Sequence, residues 1–442
     1  NAIDSAAMNT RTTLVVALLA ATISLLPAQT YEPVPGGDLL HRLSSPLFLA
    51  GTENSAGDES VSGDAFNPAA SALKQRIHLD ASYAALVGES GYNGHAAFAG
   101  TSVPTPGGVF TASLQFANAG YRALDLGTRA ALNFSFAKDL YPQLLFGAGL
   151  RGELGDAGGG LRGAGGLNLG IIHLLGERGF VPDLRWGLSL TGLGIGLRGP
   201  GGTTGSPAPF SLHADVQATL LDAGPVTWKL HTGFSLPSFQ NLRLRAGTQA
   251  RILDRVSLNL GWDLDLREQV DGDRSADSLL PSVGLTLRFQ TGRGGGTPAP
   301  GTDTGAATGE EAPFWQQSDL AVRGVWAPLY PDVWAAGAGI NAALGVIDRN
   351  PPDLELTYPE TAYLSPNNDG AADELLLPIA ITDERFVNSW RLEIADAEGQ
   401  PVRTIENNEL RPENAGFRNI IDRLLFVEQG VDVPRTLRWE IK

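Results

Sequence analysis

From Asn241 to Arg267 the chain alternates strictly between apolar and polar residues. Leu242, Leu244, Ala246, Thr248, Ala250 and Ile252 share one parity, and Asn241, Arg243, Arg245, Gly247, Gln249 and Arg251 the other. After a short turn at Leu253 and Asp254, Val256, Leu258, Leu260, Trp262, Leu264 and Leu266 face Arg255, Ser257, Asn259, Gly261, Asp263, Asp265 and Arg267. A period of two sends successive side chains to opposite faces of a strand, so the pattern predicts a β-hairpin with one apolar and one charged face.

The same alternation recurs from Ile77 onward. Ile77, Leu79, Ala81 and Tyr83 oppose His78, Asp80 and Ser82; Ala130, Leu132, Phe134 and Phe136 oppose Arg129, Asn133 and Ser135. Roughly twelve such strands precede Gln290 and two more fall at 318–327 and 333–347, about fourteen in all. Glycine blurs the pattern near 92–101, 161–173 and 183–197. Strands of this length and polarity suit a transmembrane antiparallel β-barrel, which turns its apolar face to lipid and leaves no open edge. The alternative is a soluble sandwich with the apolar faces inward. Two features favour the barrel: Arg and Asp recur on the polar face over many strands, and tight turns alternate with long polar loops at 198–209 and 267–280. In a barrel the lumen candidates are Arg243, Arg245, Arg251, Arg255, Asp263 and Asp265.

Composition agrees with an all-β chain: 55 of 442 residues are glycine and only 18% are charged. A net charge of −16 argues against nucleic acid as a partner, because phosphate contacts need a basic surface. Without cysteine, disulfides and thiolate metal sites are excluded. Arg11 followed by the apolar run Leu14–Leu26 and a cleavage site after Ala28 reads as an export signal, with residues 1–7 lying upstream of Met8. The run is too short for a spanning helix, which needs about 20 apolar residues.

Residues 1–28 are therefore set aside. Residues 29–74 are irregular, 75–347 form the barrel, and 291–312 are a Gly/Pro/Thr/Ala-rich loop. From 348 to 442 charge rises and glycine falls, with short strands at 374–381, 390–396 and 401–406, which predicts a small β domain. Two matches to G-x-G-x-x-G, at Gly147, Gly149 and Gly152 and at Gly194, Gly196 and Gly199, open no helix; they read as small residues making room inside a sheet. The six histidines show no metal-binding spacing, no G-x-S-x-G is present, and nothing supports an enzyme. In Ser365–Asp373, the oxygen side chains of Asn367, Asp369 and Asp373 around Gly370 could ligate Ca²⁺; the competing interpretation is a self-bonded Asx turn.

Asn67-Pro68-Ala69, Arg76–Leu86 and Trp186–Gly194 resemble the FadL/PorV-type outer-membrane barrels, notably the uncharacterised branch found in spirochaetes. That resemblance implies a fourteen-stranded barrel with an N-terminal segment near or inside the lumen, so that 29–74 is a candidate plug with Asn67 and Pro68 as its motif. It also implies an outer-membrane protein that moves small hydrophobic compounds or attaches secreted proteins at the surface. Ser365–Asp373, Trp390–Ile394, Gly399–Ile405 and Leu437–Trp439 resemble the Ig-like domain of the flagellar hook-capping protein. The expectation is an outer-membrane channel or transporter working by binding and diffusion, with a periplasmic Ig-like domain. The alternative is a scaffold whose 348–442 region docks a periplasmic or secreted protein.

Overall fold

In the computed structural model the described residues are 42–43, 45–50, 54–57, 60–74, 76–88, 91–105, 107–121, 124–141, 143–156, 160–179, 181–196, 210–272, 279–291 and 318–345, with 353–356, 374–382, 391–395, 400–406 and 436–440. The export signal, the 291–312 loop beyond Thr291 and the 365–373 motif lie outside them.

The alternating runs form fourteen antiparallel strands: β1 (Ile77–Gly88), β2 (Gly91–Thr105), β3 (Gly108–Tyr121), β4 (Leu124–Tyr141), β5 (Leu144–Asp156), β6 (Leu161–Arg178), β7 (Val181–Ile195), β8 (Ser211–Asp222), β9 (Val226–Pro237), β10 (Arg243–Ile252), β11 (Val256–Asp265), β12 (Ser282–Thr291), β13 (Ser318–Tyr330) and β14 (Val333–Leu344). Each pairs with its sequence neighbours, and β1 closes on β14 through a ladder from Ile77↔Leu344 to Gly88↔Val333. At one end, called here the terminal end, β1 begins, β14 finishes and most connections are tight. Leu253 and Asp254 make one of these turns with both φ angles positive, the conformation a tight hairpin requires. The other end, the loop end, carries the longer connections after β7 and β11, the latter containing helix α1 (Leu266–Asp271).

Glycine blurred β6 and β7 in the sequence because the ladder there is bulged. Its register shifts near Leu167/Leu169 and Leu174/Gly176, with Gly176 and Gly192 in left-handed backbone. An extra residue at a bulge breaks the strict two-residue period.

The two faces are inverted relative to a soluble sheet protein. Leu132, Phe134 and Leu150 are 55%, 57% and 65% exposed, while His78, Asp80, Ser82, Asn133 and Ser135 are buried inside. Trp262, Trp326 and Trp334 stand on the exterior toward the loop end, and Phe110, Trp228 and Phe289 toward the terminal end. An apolar belt with aromatics at both rims is what lipid covers; the apolar faces are not the core of a sandwich. Leu132→Arg, in the middle of that belt, is expected to lower stability by about 2–4 kcal/mol. Urea titration of the barrel refolded in phospholipid vesicles checks this, and an unchanged midpoint would contradict the lipid-facing assignment.

Beyond the barrel, β15 (Asp353–Leu356), β16 (Glu374–Thr382) and β19 (Thr436–Glu440) form one small sheet, and β17 (Arg391–Ala395) and β18 (Pro401–Glu406) a hairpin. β16, β17 and β18 fall where the sequence placed strands, whereas β15 and β19 were not among those placed. These two small sheets do not by themselves establish an Ig-like sandwich.

Candidate functional site

The lumen is filled by the chain's own N-terminal segment. Residues 42–74 form short 3-10 helices at Pro46–Ala50, Val61–Ala65 and Pro68–Leu73. The first packs Leu43, Leu47, Leu49 and Ala50 against Leu86, Val325, Leu329 and Val333 toward the loop end. The third packs Ala69 and Ala70 on Leu145 and Ile172 toward the terminal end.

Asn67 and Pro68 organise the descent between them. Asn67 caps the third helix by accepting the Ala69 N–H at 3.0 Å, and Pro68 takes the first helical position, where its missing N–H is harmless. The Asn67 amide donates to the carbonyls of Ser55 and, at 3.1 Å, Ile171, tying plug to plug and plug to wall. The wall accommodates this through glycine. A Cβ on Gly170 would overlap Asn67 Oδ1, one on Gly147 would overlap the Pro68–Ala69 peptide, and one on Gly187 would overlap the Ser55 carbonyl.

The strongest polar lock joins Asp215, Arg245 and Ser55. Arg245 Nη2 donates to both Asp215 oxygens (3.0 and 2.9 Å), while the Ser55 N–H and hydroxyl lie 2.8 and 2.7 Å from Asp215 Oδ2. Phe66 sits on this lock, its ring centroid 4.5 Å from Arg245 Cζ and 4.3 Å from the His213 ring, and its carbonyl accepts from Ser189 at 2.7 Å. Removing one partner of a buried charge pair leaves the other unmatched, so Asp215→Asn is expected to destabilise the barrel by about 3 kcal/mol. The urea midpoint measures it; an unchanged midpoint would mean that water already screens the pair. At the other side Asp64 accepts from Ser71 and Ser135 at 2.8 and 2.5 Å. Burial pushes its carboxyl above the ordinary range, against the pull of Lys74 and these hydroxyls.

Of the lumen candidates, Arg243 and Asp263 pair with each other in the interior and Arg245 pairs across to Asp215. Asp265 is buried, caps α1 by accepting from Glu268 N, and binds the Asn241 amide at 3.0 Å. Arg251 reaches an open space described below. Arg255 does not face the lumen: it is exposed in the turn before β11, because β11 begins one residue later. Asn367, Asp369 and Asp373 lie outside the described residues.

The plug leaves one side of the lumen open. A cavity open to solvent lies between Leu47, Ala50, Asn54 and Gly57 of the plug and the inner faces of β7 to β13. Arg251 and His231 are among its walls. Arg185, Lys229, Arg288 and Arg323, which line it too, were not singled out from the sequence, although all four stand on the polar parity of their strands.

No protein-family model and no curated protein matches the chain. Among solved structures it is similar to a Pseudomonas aeruginosa FadL homologue, with 10% identity over 72% of this chain and 99% of that one and a TM-score of 0.38. It is also similar to the Ralstonia pickettii toluene transporter TbuX, with 12% identity, 68% and 97% coverage and a TM-score of 0.41. A third is the CymD monoaromatic hydrocarbon channel, with 12% identity, 68% and 97% coverage and a TM-score of 0.39. Likeness at this distance transfers no cargo.

Proposed function

We propose that the protein is an outer-membrane channel or transporter for small molecules, closed at rest by its own residues 42–74 and working by binding and diffusion. The observation that carries this is the combination of a lipid-facing closed barrel with a lumen that is plugged yet keeps an open space between the plug and the inner faces of β7 to β13. A rigid structural barrel would have no need of a segment held by side-chain locks and glycine contacts rather than by the sheet's own ladder. Small hydrophobic compounds are the finer assignment. Its support is that Leu47, Ala50 and Val325 give the cavity beside the plug an apolar portion.

Swelling of liposomes containing the full chain, challenged with solutes of graded size and polarity, tests the proposal. Swelling faster than in protein-free vesicles is expected for small solutes, slow with the full chain and fast after plug release. Vesicles that stay impermeable to every solute, both with the full chain and after plug release, would refute it. Deleting 348–442 separates the scaffold alternative: a channel keeps its permeability without that region.

A further inference from the structure

The second helix of the plug carries a carboxylate that is buried when the plug is seated. Asp64 is 3% exposed, and its Oδ1 accepts from Ser71 of the third helix at 2.8 Å and from Ser135 on β4 at 2.5 Å. The contact continues along the wall. Ser71 commits its only proton to Asp64, so Thr111 donates the 2.8 Å bond it shares with Ser71, and Ser102 donates the 2.8 Å bond it shares with Thr111. Register sets the wall groups in one row: Ser102 on β2 opposes Thr111 on β3, and Thr111 opposes Ser135 on β4. One plug carboxylate thus orients hydroxyls on three strands.

Both hydroxyl bonds end on the same oxygen, so a proton on Oδ2 leaves them in place. The ionised carboxylate, by contrast, must keep a full charge out of water with two neutral hydroxyls as its side-chain donors. Lys74, whose Nζ lies 3.4 Å from Ser71 Oγ, pulls the other way through its charge, but burial outweighs it and holds the carboxyl above its ordinary range. The other titratable and charged groups on the elements packed here are His78 and Asp80 on β1, Lys138 on β4, and Arg151 and Glu153 on β5; His95 of β2 lies on the outer face against Tyr83. In a plug withdrawn into water the Asp64 carboxyl returns to its ordinary range, so the seated plug binds the proton more tightly. Seating is therefore strongest below the ordinary carboxylate range and is lost progressively as pH rises toward the higher value of the seated group.

We infer that Asp64 is a proton-operated latch: protonated, it lets the plug seat and the lumen close, and ionised, it loosens residues 60–74 from the wall of β2 to β4. The latch regulates the plugged channel proposed above and rests on that reading for conductance; the loosening of the segment stands by itself.

The full chain is refolded into liposomes and its closure checked by the heat-dependent gel shift. Hydrogen exchange in residues 60–74, corrected for the intrinsic pH dependence of exchange, is then followed from about pH 4 to about pH 8 beside conductance in planar bilayers. Both should rise with pH, by up to about tenfold per pH unit across the window, the limit for a single proton. D64N, a neutral isostere, should keep 60–74 protected and conductance low at every pH. S135A removes one bond to the carboxylate, so its rise should continue to a higher pH than in the parent; it carries the test if D64N loses the gel shift. A fall with rising pH, no response in the folded parent, a D64N response equal to the parent's, or an S135A rise ending at the parent's pH would overturn the latch. A response that survives D64N belongs to the other titratable groups, all of which that variant leaves in place. Exchange that follows pH without conductance at any pH would sink the channel and keep the latch; conductance and exchange that ignore pH would do the reverse.

Discussion

Deletion of residues 42–74 should convert a closed barrel into an open pore, with conductance in planar bilayers rising by on the order of tenfold over the full chain. The segment fills the lumen from the apolar cluster near Val333 to the contacts near Ile172, so its removal leaves water in its place. The wall should survive the loss. All fourteen strands are paired into a closed ladder without help from the plug, and the inner face exposed by deletion is polar enough to be wetted. Retention of the heat-dependent gel shift would show that the barrel still closes. A folded deletion variant with unaltered conductance would mean that the segment does not gate the lumen.

The second large effect belongs to a single glycine. Gly187→Val would drive a branched side chain into the Ser55 carbonyl and Ala56 Cα, which are backbone atoms that no rotamer change can move aside. The plug must withdraw locally, giving up the Ser55–Asp215 hydrogen bonds, and a loss of about 3 kcal/mol or more in plug seating is expected. The measurement is limited proteolysis: cleavage within 42–74 should accelerate strongly while the strands stay resistant. Gly152→Val provides the contrast, because no heavy atom lies within 4 Å of its Cβ position; that variant should behave like the parent. Equal protease sensitivity in the two variants would show that the Gly187 contact does not hold the plug.

The wall glycines also mark the limit of what the sequence reveals. Period-two alternation gave the strands of the barrel, the face each residue takes and the hairpin β17–β18, because these depend on local pattern and on the nature of the solvent outside. Gly147 and Gly152 belong to one motif, and parity sends them to opposite faces of β5, but it does not say what either one meets. Only the fold shows that the first lies against Pro68 and Ala69 while the second has open space around it. The plug has no periodicity to read; its helices are held by contacts with strands far away in sequence. Arg255 was misplaced by one residue of turn, since parity counted through Leu253 and Asp254 ignores where β11 starts. Arg245 sits opposite Asp263 across the hairpin yet bonds Asp215 two strands away, a choice that depends on where Ser55 arrives.

The β1–β14 seam sets the order of biogenesis. β1 follows directly on the plug, and its partner β14 is the last strand of the barrel to leave the ribosome. Pairing of the most distant strands carries the greatest loop-closure cost, so the seam is the natural last step of folding. Residues 42–74 are joined directly to β1 and precede the whole wall in synthesis, so the leading segment is at hand to serve as a mandrel when the seam closes.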